Sequence, residues 1–512
     1  MRTAFAKGFN KIFNRLTITV AIIIVQCVYL AILFFQLTQY ASWIEIGFRV
    51  LSVFIAVYII WRDYNPAYKI GWIVLIAVLP AMGAVLYLLF GNKRPSRSLK
   101  RRLYPLEKLH REDLKQEENI RMTGIDERLQ RTVEYVAEKG PYPAWLHTAT
   151  RYYEVGDRLF DDMLEDLKKA EHYIFLEYFI IERGRLWDQI FAILKEKAAE
   201  GLDVRVIYDD IGSINKLPRH FIRELTASGI RVQAFNPMRP FVSLVYNNRD
   251  HRKICVIDGY IGYNGGANIA DEYANIIVRF GHWKDSGVRL FGEAVWNYTV
   301  MFLNMWNAFR PEDVEYDLFR PHVWHPEEFS SDGIVQPFSD TPLDDENLGE
   351  NVYLEIVNQA RDYVFIYTPY LVPDNEMITA LTLAAKRGVD VRLVTPGIPD
   401  KRMIYDLTRS HYKTLLEAGV RIYEYTPGFI HAKSFVSDDR IACVGTINID
   451  YRSLYLHFEC GTLLIDNSSI MDLRSDAITT FGRSHEITLD NMKTHFFGML
   501  VAALLRVISP VL

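Results

Sequence analysis

The sequence is poor in cysteine: Cys27, Cys255, Cys443 and Cys460 are the four in 512 residues, and none stands in CxxC spacing. That excludes a disulfide-built scaffold and argues against a structural zinc site. Charge imbalance is also small. With 58 Lys and Arg against 63 Asp and Glu, the formal net charge is -5, without the basic excess of a general nucleic-acid binder. The glycine-rich stretch GYIGYNGG (259–266) lacks the G-x-G-x-x-G spacing of a dinucleotide loop. Finally, two long stretches have no charge at all, from Leu16 to Ile44 and from Ile70 to Asn92.

Uncharged apolar runs of about 20 residues are long enough to cross a bilayer core. An N-terminal membrane anchor over 1–95 is therefore expected, with transmembrane helices at about 17–38 and 70–90 and Pro80 kinking the second. Between them, Val50 to Trp61 follows Glu45 and Arg49 and reads as a further span over about 44–61. No A-x-A cleavage site follows the first run, which argues against a signal peptide. KRPSRSLKRR (93–102) has no acidic residue, which favours the cytoplasmic side and contact with anionic headgroups. It opens a basic and polar linker over 96–130. At the other end, the apolar segment 493–512, with FFGMLVAALLRVISPVL at 496–512, suits the bilayer surface or a helix closing the last domain.

Within the central region the chain repeats itself. KAEHYIFLEYFI (169–180) matches QARDYVFIYTPY (359–370), and SGIRVQAFNP (228–237) matches AGVRIYEYTP (418–427). Each unit alternates helices with apolar strands, the pattern of an α/β fold with a mixed, largely parallel sheet. Two tandem α/β domains are expected, over 131–335 and 345–492, joined through the acidic stretch TPLDDENLGE (341–350).

Each unit then carries the pattern H-x-K-x4-D-x6-G-[GT]-x-N. The first copy is His251, Lys253, Asp258, Gly265, Gly266 and Asn268; the second is His431, Lys433, Asp438, Gly445, Thr446 and Asn448. Read as a strand, the spacing aims His251 and Lys253 to one face and Arg252 to the other. A lone histidine on an apolar strand is usually a hydrogen-bonded core residue. Two copies in register point to a shared site.

The doubled pattern resembles the phospholipase D superfamily, over essentially all of 130–490. That resemblance implies two phospholipase D-like domains whose motifs meet at their interface, and phosphodiester exchange without metal or other cofactor. The catalytic candidates are His251, Lys253, Asp258, His431, Lys433 and Asp438. Imidazole, with a pKa of about 6.5, serves as nucleophile or as proton donor near neutral pH. By family analogy His251 is the nucleophile, forming a phosphohistidine, and His431 the general acid and later base; the reverse assignment stays open. Lys253, Lys433, Asn268 and Asn448 are candidates for holding the phosphoryl oxygens. Asp258 and Asp438, at the strand ends, read better as anchors than as acid–base groups. Aligning HWKDSGVRL with LHFECGTLL sets Asp285 opposite Glu459, the candidates for orienting the two histidines. Asp209 and Asp210 have no counterpart in the second unit, which favours a structural or positioning role over a metal site.

The block RDYNPAYKIGWIVLIAVLPAMGAVLYLLFGN (62–92) looks like the membrane-anchoring hairpin of bacterial cardiolipin synthases, and NIDYRSLYLHFE (448–459) and RVISPVL are similar to the same family. This implies transfer between two phosphatidylglycerol molecules, giving cardiolipin and glycerol, by a multi-pass enzyme of the bacterial cell membrane with its catalytic domains at the cytoplasmic face. Anionic lipid is the expected partner, and nucleic acid is not. The alternative is a membrane-bound phospholipase D or another phosphatidyltransferase. Arg452 and Ser453 are candidates for headgroup contact.

Overall fold

The computed structural model describes residues 42–91, 97–115, 125–237, 247–313 and 315–492, with isolated positions between 25 and 36 and at 505–507 and 509. The span expected at 17–38 falls almost wholly outside them. Three helices pack together at the N-terminal end: α1 (Ser42–Trp61), α2 (Pro66–Val78) and α3 (Pro80–Phe90). Asn65 caps α2, its side chain accepting from the Ala67 N–H.

The charge-free run expected to span at 70–90 is divided. Leu79 leaves helical geometry and α3 folds back on α2, so closely that a Cβ on Gly83 would lie 2.8 Å from the Ile76 Cα. Proline is the reason: it lacks the N–H that continues the helical ladder and disfavours α-geometry in the residue before it. Helices of 13 and 11 residues reach about 20 Å and 16 Å, short of a hydrocarbon core about 30 Å thick. Among the described residues no helix is long and apolar enough to cross a membrane, so neither 44–61 nor 70–90 carries the expected span. The outer face of the unit is nevertheless apolar. Trp43, Phe54, Val57 and Val78 are exposed around a small core of Ile59, Trp72, Ile76 and Tyr87.

The remainder is built on two sheets of one plan. In the first half lie β1 (Thr148–Tyr153), β2 (Tyr173–Tyr178), β3 (Asp203–Asp209), β4 (Arg231–Phe235), β5 (Lys253–Ile257), β6 (Ile261–Gly265), β7 (His282–Lys284) and β8 (Gly287–Gly292). The second half holds β9 (Ile334–Asp340), β10 (Tyr363–Tyr367), β11 (Asp390–Pro396), β12 (Arg421–Tyr425), β13 (Gly428–Ile430), β14 (Ser434–Ser437), β15 (Ile441–Gly445), β16 (Glu459–Ile465) and β17 (Ser484–Ile487). The sheet orders are β1-β8-β6-β5-β2-β3-β4 and β9-β16-β15-β14-β10-β11-β12-β17; β7 and β13 pair across the halves as a separate two-stranded sheet. Apart from β17 the two orders correspond strand for strand.

Within the two main sheets, among the described residues, only β2–β3–β4 and β10–β11–β12 run parallel, so these sheets are mixed but largely antiparallel, against the expectation from the repeat. Past the third parallel strand the chain returns by hairpins, and tight turns hold Asp258 at φ 49° and Asp438 at φ 53°. β9 pairs with β16, so the second half begins ahead of the acidic stretch 341–350. The helix Glu127–Lys139 packs Leu129, Val133 and Val136 against Ile334, Leu348 and Val352 of that half, because its apolar stripe finds cover there.

A further helix, α4 (Val295–Asn307), is buried at every position and lies within the core that joins the halves. Its Phe302 stacks on Phe175 at 4.5 Å, and its Tyr298 hydroxyl bonds the Thr462 hydroxyl of β16. Near the C-terminus, Leu505 is buried against Val372, Leu407 and Tyr451, and Arg506 Nε donates to Ser410 Oγ at 2.9 Å. This portion of 493–512 closes on the second half.

Candidate active site

Both motif histidines stand just outside the main sheets, His251 before β5 and His431 between β13 and β14. The His251 N–H donates to the Phe458 carbonyl at 2.9 Å, and the His431 N–H to the Lys284 carbonyl at 2.7 Å. Each motif therefore runs beside the segment of the opposite half that ends in an acidic residue. The result is crossed pairing. His251 Nδ1 lies 2.9 Å from both Glu459 carboxylate oxygens, and His431 Nδ1 lies 2.8 Å from Asp285 Oδ2. With Nδ1 held, Nε2 is the nitrogen left for chemistry. Arg252 turns away, into ion pairs with Glu177 (2.5 Å) and Asp250 (3.1 Å).

The two lysines fold back under their histidines. Lys253 Nζ donates to the His251 carbonyl; Lys433 Nζ donates to that of His431 and lies 2.8 and 3.0 Å from its ring nitrogens. Asn268 is fixed by accepting the Ile180 N–H at 3.0 Å, whereas Asn448 Oδ1 is buried without a hydrogen-bond partner among the described residues.

Asp258 and Asp438 do not join this group. They sit at the far ends of β5 and β14, where their carboxylates accept backbone N–H groups. The Asp258 carboxylate accepts the N–H groups of Glu171, His172 and Tyr173, each at 2.8 Å. Asp438 accepts those of Arg361, Asp362 and Tyr363 at 2.7, 3.0 and 2.9 Å. Asp209 is also structural: it pairs with Arg249 at 2.7 Å and caps the turn at Ile211 and Gly212.

His251, His431, Asn268 and Asn448 line one cavity of about 810 Å³, together with Phe179, Tyr273, Trp283, Tyr370, Arg452 and Ser453. Burial dominates its electrostatics. It pushes His251 well below the usual imidazole value, with Lys253 adding to the effect. Burial and Lys433 bring His431 down to about 4, against the pull of Asp285. Lys253 falls to about 8 and Lys433 to about 7, again through burial, opposed by Glu459 and Asp285 respectively. The two carboxyls diverge. Burial raises Asp285, but His431 and Lys433 outweigh it and hold the group below the usual range. Glu459 goes well above that range, because burial outweighs Lys253 and Thr446. Burial thus resists charge on both members of the His251–Glu459 pair.

Sequence reasoning missed His457, whose ring centre lies 5.7 Å from that of His251. It stands two residues before Glu459, as Trp283 stands two before Asp285, and Trp283 lies 5.7 Å from the His431 ring. Strand alternation counted back from each carboxylate is the signal that finds both. His251, His457 and Glu459 bring three donor atoms within 4.8 Å of one another, a metal-type grouping. Arg452, Arg249 and Lys253 surround it with positive charge that opposes a cation.

With this geometry in place, the comparisons with known proteins bear on it. The family described as "Cardiolipin synthase, PLD-like domain" matches residues 163–277 and 353–479, one segment in each half. "Phospholipase_D-nuclease N-terminal" matches 50–92. The cardiolipin synthase of Halalkalibacterium halodurans is 32% identical over 514 residues, covering 98% of this chain and 100% of its own. The chain belongs to the cardiolipin synthase family. As a member of it, the protein is a phosphatidyltransferase of phospholipid biosynthesis. The cardiolipin synthase of Alkalihalophilus pseudofirmus is 34% identical over 478 residues, 92% of this chain and 94% of that one. An uncharacterized protein of Streptococcus mutans is 46% identical over 380 residues, 74% of this chain and 82% of its own. In fold, the crystal structure of Haemophilus influenzae phosphatidylserine synthase aligns with a TM-score of 0.55 at 14% identity, over 75% of this chain and 100% of that one.

Proposed function

We propose that this cardiolipin synthase moves a phosphatidyl group from one phosphatidylglycerol to the terminal hydroxyl of a second. His251 Nε2 attacks phosphorus, a P–N bond forms, and the P–O bond to the glycerol headgroup breaks. His431 takes up a proton from solvent at Nε2 beside the bound anionic phosphodiester and gives it to the departing glycerol oxygen. It then takes the proton of the incoming hydroxyl, whose oxygen displaces the histidine and completes cardiolipin. Lys253, Lys433, Asn268 and Asn448 hold the phosphoryl oxygens, supplying charge and amide donors to the transition state. The observation that carries this reading is the pair of carboxylate-bound imidazoles, one from each half, on the wall of one cavity.

Lipid chemistry sets where the enzyme works. Drawing a 15-methylene acyl chain into water at about 0.8 kcal/mol per group costs about 12 kcal/mol, so headgroups enter while the chains stay in the bilayer. The apolar outer face of α1–α3 supports embedding of that unit in the cell membrane, and the basic run 93–102 supports a cytoplasmic catalytic region.

Full-length protein given headgroup-labelled and acyl-labelled phosphatidylglycerol in chelator should release glycerol and form cardiolipin. Phosphatidic acid as sole lipid product would make it a phospholipase D; a strict requirement for added divalent ion would remove the metal-free scheme.

A further inference from the structure

At the mouth of the cavity two loops, one from each half, carry exposed apolar side chains beside cationic ones. In the first, Ile277 and Val278 precede Arg279, and Val278 is 84% exposed, an unusual state for a valine in water. In the second, Ile398 and Met403 flank Lys401 and Arg402 and are exposed as well. The loops meet. The Ile398 N–H donates to the Gly428 carbonyl at 3.2 Å, and Gly428 bridges to Gly281 at the end of the first loop. Arg279, Lys401 and Arg402 also line the catalytic cavity.

Among the described residues each of these cations has one ion-pair partner: Arg279 the buried Glu272 at 2.8 Å, Arg402 the exposed Asp406 at 3.2 Å, and Lys401 the partly buried Asp400 at 3.8 Å. The Arg402 and Lys401 pairs reach solvent, and pairs of that kind are worth little in water and yield readily to other anions. Asp400 is in turn occupied by the Tyr370 hydroxyl at 2.7 Å. Across the mouth, Val372, Leu407 and Tyr451 line the cavity and pack against Ala67 of α2, so the opening lies between this rim and the apolar N-terminal unit.

We propose that loops 276–280 and 398–403 form a lip that seats its apolar tips in an anionic bilayer, with Arg279, Lys401 and Arg402 at headgroup level. Apolar tips with basic neighbours fit the interface of a membrane rich in acidic lipid. The lip sits directly upstream of chemistry, since the first loop runs through β7 to Asp285 and the second borders β13, which leads to His431. Seated this way, the mouth receives a phosphodiester while its acyl chains remain in lipid. This rests on the reading that the substrate is a membrane phospholipid.

The test uses full-length protein in vesicles, with Val278→Cys in a Cys27→Ser background labelled by an environment-sensitive fluorophore. The probe is expected to shift to the blue and be quenched by brominated acyl chains in phosphatidylglycerol vesicles, and much less so in phosphatidylcholine vesicles. A probe that stays in water in both overturns the lip. Separately, Val278→Asp with Ile398→Asp should lower transfer between bilayer lipids about tenfold or more, leaving transfer between short-chain, monomeric phosphatidylglycerols within about threefold. Equal losses on both substrates make the loops merely structural and overturn the proposal. A probe that enters lipid in a protein making no cardiolipin leaves the lip standing and removes the proposed function instead.

Discussion

The two halves of the catalytic region share a strand order and a motif, yet they are not equivalent. In the first, Gly266 lies so near Asp285 that a Cβ there would stand 2.1 Å from Oδ1; in the second, that position is Thr446, whose hydroxyl donates to Glu459. Burial raises both carboxyls, but His431 and Lys433 hold Asp285 below the usual range, while Glu459 goes well above it although Lys253 and the Thr446 hydroxyl oppose the shift. Duplication supplied two similar arms, and their orienting carboxyls are shifted in opposite directions.

The largest effect expected tests whether the two histidines differ in kind. His251→Ala and His431→Ala should each lower turnover by about 10⁴-fold or more. With His431→Ala, labelled phosphatidylglycerol should leave a covalent phosphatidyl-protein on His251, detectable by mass spectrometry; label held instead on His431 in His251→Ala would reverse the roles.

Next comes the contrast between the carboxyls. Asp285→Asn removes a charge and should cost about 10- to 100-fold in kcat. Glu459→Gln replaces a group already pushed towards neutrality, so its loss should stay under about tenfold. Equal losses in steady-state assays would erase the asymmetry.

The lysines predict a pH limb. Lys433 is protonated below about 7 and Lys253 below about 8, so the positive charge meant for phosphate is present at pH 6 and lost as pH rises through those values. kcat/KM, which reports the free enzyme, should fall severalfold between pH 6.5 and 8.5. Lys433→Arg keeps its charge and should flatten the fall; an unchanged slope would separate this limb from Lys433.

The smallest effect concerns folding. Asp258→Ala strips acceptors from three N–H groups at a buried turn, each worth about 1–3 kcal/mol when unsatisfied. Asp438 is more exposed and water replaces its carboxylate more easily, so Asp438→Ala should shift the urea midpoint by less. The reverse order would sink the comparison of the two anchors.

Much of the site was legible because its signals are local. The spacing from His251 to Asn268 and its copy from His431 to Asn448 stand in plain order, and aligning the two segments found Asp285 and Glu459 without any fold. Sheet direction was less legible: β5 and β14 follow helix–strand units that read as parallel, and only the left-handed turns at Asp258 and Asp438 reveal a hairpin. The charge-free run at 70–92 shows hydropathy but not path, and one proline turned an expected span into two stacked helices.

By itself the sequence determined that the chemistry would come in two copies, of imidazole, ammonium and amide at fixed intervals, because those intervals are backbone periodicities. Which carboxylate serves which histidine was decided only by the tertiary structure. Glu459 reaches His251 across 208 residues and Asp285 reaches His431 across 146. Such partners follow from how two sheets pack together, and no local rule fixes that.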